Sequence, residues 1–337
     1  LDTTIVNTAL AAMAQQLHEN PLQMHSVVVA YVLSVAVCIP LSGWLADRFG
    51  IRNTYLAAMI IFSLASLGCG LAQNLDQLII FRVLQGIGGA FLMPVGRLAL
   101  LKIIPRSQFL SAMSLMSLAG LIGPLLGPAL GGWLVQVATW HWIFFINLPM
   151  GVLGIIMCLK VMPNHTEPSV KPFDFSGFIL LMIAMVGLSL GIENIAKPQS
   201  SILLSMGCIA AGMIAALSYA YHAHSQQNAL FHSRLFRYKI YSIGILGNFF
   251  ARLGSNAIPF VLPLMLQVAF GFAPLLTGLM MIPLVLGALC SKPIIRPIIQ
   301  AVGYRRFLLV NTVLLGLCIA SFALMTASTP LWLKVLH

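Results

Sequence analysis

The feature that most constrains this chain is a series of apolar runs, most of them about 20 residues long, recurring along its 337 residues and separated by short polar connections. A helix of roughly 20 residues crosses the hydrocarbon core of a bilayer. Only helices and closed barrels satisfy their own backbone hydrogen bonds there. The runs fall at 1–16, 25–46, 54–73, 77–101, 110–135, 142–162, 175–193, 201–222, 241–268, 274–295 and 305–326, and another begins near Leu331. With 60% hydrophobic and 7% charged residues, no soluble class fits, and the expected fold is an all-α membrane protein with many spans. The first run is too short for a cleaved signal peptide and leads directly into further spans. It starts without Met in what reads as mid-helix, so the expectation is a chain that lacks the start of its first helix, with the run near Leu331 cut off as well.

Basic residues mark every second connection: Arg48 and Arg52, Lys102 and Arg106, Lys160 and Lys171, Arg234, Arg237 and Lys239, then Arg296, Arg305 and Arg306. The alternate connections hold Glu19, Asp76 and Lys197. Because cytoplasmic loops are enriched in Lys and Arg, even-numbered runs exit into the cytoplasm and the first run points outward. The net charge of +11 is therefore a record of topology rather than a sign of nucleic-acid binding. All six cysteines lie inside apolar runs without a C-x-x-C pair, and they read as packing residues. The histidine-rich stretch YHAHSQQNALFHSRLFRYK, with His222, His224 and His232, reads as a basic cytoplasmic linker, because no carboxylate or cysteine completes a metal shell. No cofactor and no metal is expected.

Four stretches carry chemistry. In GWLADRFGIRNTYL, Gly43 and Gly50 bracket Asp47, Arg48 and Arg52 on the cytoplasmic side, where Asp47 can pair with a base or accept from a helix N-terminus. LADRFGIRN (45–53) aligns without gaps with IIQAVGYRR (298–306), which keeps Gly50 as Gly303 and Arg52 as Arg305 but replaces Asp47 by Gln300. A repeat separated by 253 residues, in matching topological positions, suggests two related halves around a central site. The fourth run carries Arg82 and Arg97, about 60° apart on the helix wheel and about 22 Å apart along the axis. Both are expected to face protein interior or a wet cavity, with outward snorkelling an open alternative for Arg82. The fifth run, GLIGPLLGPALGGWL, crowds Gly123, Pro124, Gly127, Pro128, Gly131 and Gly132 into ten positions, so a kinked and closely packed helix is expected. Finally, Asp2 is a carboxylate inside an apolar run. It must be protonated or paired, and switching between those states couples protons to conformation. A structural hydrogen bond to Asn7 or a neighbouring span is the alternative.

LDTTIVNTAL, GWLADRFGIR, RVLQGIGGA, GPLLGPALGG and WHWIFFINLPMG, in that order, resemble the major facilitator superfamily, and within it the 14-helix drug:proton antiporter branch. Ile51, where a base is usual, and Ala11, where proline is usual, depart from the pattern. The resemblance implies a six-helix half at 1–165, two additional helices with a linker at 166–233, and the start of a second half at 234–337. It implies a monomer in the bacterial inner membrane, and assigns proton coupling to Asp2 with Arg82. Arg97, Arg252, Asn7 and Gln85 are the expected substrate-contacting residues. Without a P-loop or an ATPase domain, energy must come from an ion gradient or from the substrate's own gradient. The resulting expectation is a proton-coupled exporter of small molecules, drugs among them. An exporter of anions or metal-chelate anions held between Arg97 and Arg252 stays open, because Asp2 is almost the only interior acid. So do a passive facilitator and a non-transporting sensor. Phe91, Met93, Phe249, Phe250 and Met280 are either packing or the lining of an adaptable pocket. An enzyme is not expected, since no nucleophile or metal cluster is recognisable.

Overall fold

The computed structural model describes residues 2–21, 23–164, 166, 170, 172–195, 201–226, 228–231, 237–255 and 258–321. The first half comprises α1 (Asp2–Leu17), α2 (His25–Cys38), α3 (Leu41–Phe49), α4 (Ile51–Gly70), α5 (Leu75–Ile103), α6 (Arg106–Val137), α7 (Trp142–Phe145) and α8 (Asn147–Val161). A hairpin of α9 (Phe175–Ile195) and α10 (Ile202–Ser225) follows. The remainder holds α11 (Lys239–Ser255), α12 (Ile258–Leu264) continuing into a π turn at Met265–Ala269, α13 (Pro274–Met280), α14 (Ile282–Val302) and α15 (Tyr304–Ser321). Among the described residues, five helices are long and apolar enough to cross a membrane, or six if the bent pair α2–α3 is one span. The protein is an all-α membrane protein. The run near Leu331, together with Lys171, Lys197, His232 and Arg234, lies outside the described residues.

Several runs read as single spans are broken, and the breaks have local causes. The second run bends by 57° between α2 and α3. Pro40 sits at the break, where it offers no N–H to α2 and precedes the first turn of α3. What the sequence suggested was a tight cytoplasmic loop is mostly helix: Gly43 lies inside α3, and the turn is the single residue Gly50, at φ 90°. Thr54 Oγ1 donates to the Leu45 carbonyl at 3.0 Å and Asn53 Nδ2 to the Phe49 carbonyl at 3.1 Å, so the exposed end of α3 is capped by the helix that follows. Gly303 makes the same turn between α14 and α15, at φ 86° and ψ 150° against ψ 150° at Gly50. The repeat noticed in sequence is thus a repeat of backbone conformation.

In the fifth run α6 passes through all six glycines and prolines as one continuous 32-residue helix. Its glycines allow close approach of neighbouring helices. Gly131 abuts Thr8 and Ile5 of α1, and Gly127 abuts Thr4. On another face Gly132 faces the Pro274 carbonyl and, reciprocally, Gly278 faces the Pro128 carbonyl, which joins α6 to α13 backbone against backbone. Gln267, on the π turn, donates to the Thr8 carbonyl of α1 at 2.9 Å. The cysteines do not all pack: Cys69 and Cys158 are buried, but Cys290 and Cys318 are exposed. Phe91 and Met280 are buried, whereas Met93, Phe249 and Phe250 are exposed.

Candidate functional site

A buried polar cluster sits where α1, α2, α4, α5 and α8 converge, and small residues make that convergence possible. A Cβ at Gly86 would stand 2.6 Å from the Tyr31 carbonyl, and one at Gly88 2.6 Å from the Phe62 backbone nitrogen, so α2 and α4 lie directly against α5. The glycines thereby bring Tyr31 and Ser66 beside the side chains that α5 projects inward. Asn74 starts α5 by accepting from the Gln77 N–H at 2.9 Å. Two turns later Arg82 emerges, followed at i+3 by Gln85 on the same face.

Arg82 is fully buried and pairs with Asp2, Nη1 to Oδ2 at 2.7 Å. The same Nη1 donates to Gln85 Oε1 at 2.7 Å, and Nε donates to the Val27 carbonyl at 3.3 Å. Asp2 Oδ1 accepts from two amides, Gln85 Nε2 and Asn147 Nδ2, both at 3.1 Å. Ser66 Oγ accepts from Gln85 Nε2 at 2.6 Å and from Asn147 Nδ2 at 3.4 Å. The Arg82 guanidinium also lies 4.2 Å from the Tyr31 ring centroid and 5.8 Å from that of Phe144. Arg82 Nη2 has no hydrogen-bond partner among the described residues. Around the cluster pack Ile5, Val6, Val27, Leu78, Ile143 and Phe144, all fully buried. In so apolar a setting the two charges are tolerable only as a pair.

The arrangement can therefore do one chemical thing readily. A proton placed on Asp2 removes the charge that holds Arg82, while the Tyr31 face stands ready for the released guanidinium. Snorkelling of Arg82 is ruled out by its burial. Ser66 and Asn147 are the members that sequence reasoning missed. Serine in an apolar helix looks ordinary, and Asn147, just before Leu148-Pro149, resembles a helix start. Gln85, expected to contact substrate, is held by Arg82, Asp2 and Ser66. Asn7, half-buried, lies further along α1.

The remaining expected residues do not join this cluster. Arg97 is exposed on α5, and Arg252 is exposed with its Nε donating to Asn248 Oδ1 at 3.1 Å. No contact joins the two arginines among the described residues, so the anion reading rests on the charge inventory alone. Asp47 pairs with Lys102 of α5 at 3.1 Å. Arg48 stacks on Trp44, 5.3 Å from its ring centroid, and Arg52 lies in the first turn of α4. The turn at Gly50 is also closed sterically, since a Cβ there would collide with Asn164 Oδ1. His222 does find a carboxylate, Asp174 Oδ1 at 2.8 Å, which ties the ends of the α9–α10 hairpin together. Among the described residues no group of three potential metal ligands gathers.

Comparison with known proteins agrees with this architecture. The family model described as Major Facilitator Superfamily matches residues 1–336. A protein of Pectobacterium atrosepticum named "Putative multidrug resistance protein MdtD" is 50% identical over 99% of this chain and 71% of its own length. Its namesake from Escherichia coli O6:H1 is 48% identical over 100% of this chain and 71% of its own length. A crystal structure of the POT family transporter PepTSo superposes with a TM-score of 0.57 at 16% identity, over 90% of this chain and 68% of that one, a likeness of fold.

Proposed function

Because the chain belongs to the major facilitator superfamily, and is thus a secondary transporter and not an enzyme, we propose that it exports drug-like small molecules across the bacterial inner membrane as a monomer, in exchange for protons. Asp2 is the proton-responsive acid in this reading and Arg82 its counter-ion. The buried pair at 2.7 Å is the observation that carries it. Opening a buried ion pair costs about 3–5 kcal/mol. One proton moving down about 150–200 mV releases about 3.5–4.6 kcal/mol. The two magnitudes are comparable, so one proton per cycle offsets the opening of the pair. Gln85 and Asn147 keep the carboxyl in place through the cycle, and Ser66 keeps both amides oriented.

The relatives named for multidrug resistance support drugs as the cargo. The α6–α13 seam supports a pivot between halves at the Gly132 and Gly278 contacts. The test uses the protein in everted vesicles carrying a pH-sensitive dye, challenged first with cationic drugs and then with citrate-like anions. Proton release evoked by the drugs and lost in Asp2→Asn is the expected result. Intact pH-driven export in Asp2→Asn overturns the coupling role.

A further inference from the structure

Two glycines of α5 fix the position of one aromatic ring. Arg82, Gly86 and Gly89 stand at i, i+4 and i+7 and so form a stripe along one face of α5. A Cβ at Gly86 would meet the Tyr31 carbonyl at 2.6 Å, and one at Gly89 would meet Tyr31 Oη at 2.8 Å. The backbone of Tyr31 thus lies on Gly86 and its phenol on Gly89, which sets the ring over the third member of the stripe. Its centroid is 4.2 Å from Arg82 Cζ, whereas that of Phe144 is 5.8 Å away. A ring attracts a cation over its face within about 6 Å, so Tyr31 is well inside that range and Phe144 at its edge. Asp2 is the one carboxylate paired with Arg82 among the described residues. The other hydrogen-bond acceptors of Arg82, Gln85 Oε1 and the Val27 carbonyl, are neutral. A guanidinium keeps its charge inside a protein. When Asp2 takes up a proton, the charge on Arg82 therefore persists and loses its ionic partner, and the π face of Tyr31 is the negative potential that remains beside those two neutral oxygens.

We propose that Tyr31 is a positioning residue for the exchange, acting through Arg82: its ring keeps the guanidinium within reach of Asp2 while the acid is protonated, so that the return of Arg82 drives the proton off. The inference rests on the proton-coupling reading of Asp2 and extends it to the release step. Uptake places a proton on the Asp2 carboxyl and parts the ion pair. Release breaks that O–H bond, the proton leaves on the cytoplasmic side and the pair re-forms, with Arg82 charged throughout. Without the ring, a guanidinium freed from Asp2 is drawn toward water at the membrane surface, as arginines in apolar surroundings are. Each return then starts from further away, and release slows.

Two readouts test it. The first is the unfolding midpoint in detergent of Tyr31→Leu in three backgrounds: wild type, Asp2→Asn and Arg82→Gln. A ring that only packs costs the same in all three when it is lost. A ring that seats the guanidinium costs most where the carboxylate is gone and least where the guanidinium is gone. Tyr31→Leu is expected to lower the midpoint about 4 °C more in Asp2→Asn than in Arg82→Gln, with wild type between them. The second readout is proton-coupled exchange in everted vesicles. Tyr31→Leu is expected to slow turnover at least about tenfold while the half-saturating drug concentration stays within about twofold. Tyr31→Phe keeps the ring and is expected to retain turnover within about threefold. A ring-fluorinated phenylalanine at position 31 keeps the shape but empties the π face of negative charge, and is expected to behave as Tyr31→Leu does. Equal cost in the three backgrounds, or a fluorinated ring that works as well as Tyr31→Phe, overturns the proposal. If the doubly substituted proteins do not fold, the fluorinated ring decides, by midpoint and by turnover. Absence of exchange in wild-type protein together with the expected thermal order would sink the transport reading and leave the seat standing, whereas exchange with a flat thermal order would sink the seat alone.

Discussion

Replacing Asp2 by Asn keeps the outline of the side chain and removes the charge that Arg82 faces. Arg82 is fully buried and its Nη2 has no hydrogen-bond partner among the described residues, so without the carboxylate its charge is left with the Tyr31 ring, a weaker partner. Stranding a buried charge costs about 3–5 kcal/mol. At about 2 °C per kcal/mol, the lower end of the range for smaller domains, Asp2→Asn should lower the unfolding midpoint in detergent by about 6–10 °C. Arg82→Gln should cost less, because a carboxyl left alone can take up a proton whereas a guanidinium cannot release one. The double variant removes both charges and leaves neutral groups in hydrogen-bonding reach of Gln85, Asn147 and Ser66. It should therefore be more stable than the sum of the single effects requires, by about 1–3 kcal/mol. The measurement is a thermal double-mutant cycle at fixed detergent and pH. Additivity within about 0.5 kcal/mol would mean that the two side chains do not act as a unit, and the coupling argument would fail with it.

Two further outcomes follow from the turns and loops. Gly50→Ala should destabilise more than Gly303→Ala: both positions combine positive φ with ψ 150°, a region open almost only to glycine that costs about 1–3 kcal/mol for a side chain, but only at Gly50 does a Cβ also collide with Asn164, while nothing lies within 4 Å at Gly303. Equal midpoints for the two variants would show that strain alone matters. Burial holds the His141 imidazole, stacked on Trp140 outside the spans, below the usual value of 6.5. The unfolded chain then binds the proton first, so this contribution is complete above pH 6.5 and is lost as pH falls through the lowered value. His141→Gln should flatten the decline in stability measured from pH 7 to pH 5, and an unchanged slope would remove His141 as its source.

The spans and the buried pair were legible in sequence for one reason: the bilayer makes length and charge expensive to get wrong. Asp2 and Arg82 stand out because a charge in an apolar run needs a partner. Ser66 and Asn147 do not, because a small polar side chain can satisfy itself on its own helix, and only the assembled fold shows that these two are aimed at the acid. Arg97 shares a helix-wheel face with Arg82, but fifteen residues carry it along α5 to a level where its side chain is exposed. The breaks at Pro40 and Gly50 were written in residue types, but whether a proline bends a helix, as Pro40 does, or rides inside an unbroken one, as Pro94 and Pro128 do, depends on which neighbour takes up the freed backbone groups.

The hydrogen bond from Gln267 to the Thr8 carbonyl has an acceptor that mutation of Thr8 cannot delete, because it is main chain. The tie can be cut only at Gln267 or by carrying a whole helix away. α1 is also the helix that bears Asp2, six residues earlier on the same rigid rod. In the proposed cycle, displacement of the segment that bears Gln267 and rearrangement around the acid are therefore reciprocal. Whatever free energy a proton on Asp2 lends to separating the halves, separating the halves lends equally to protonating Asp2.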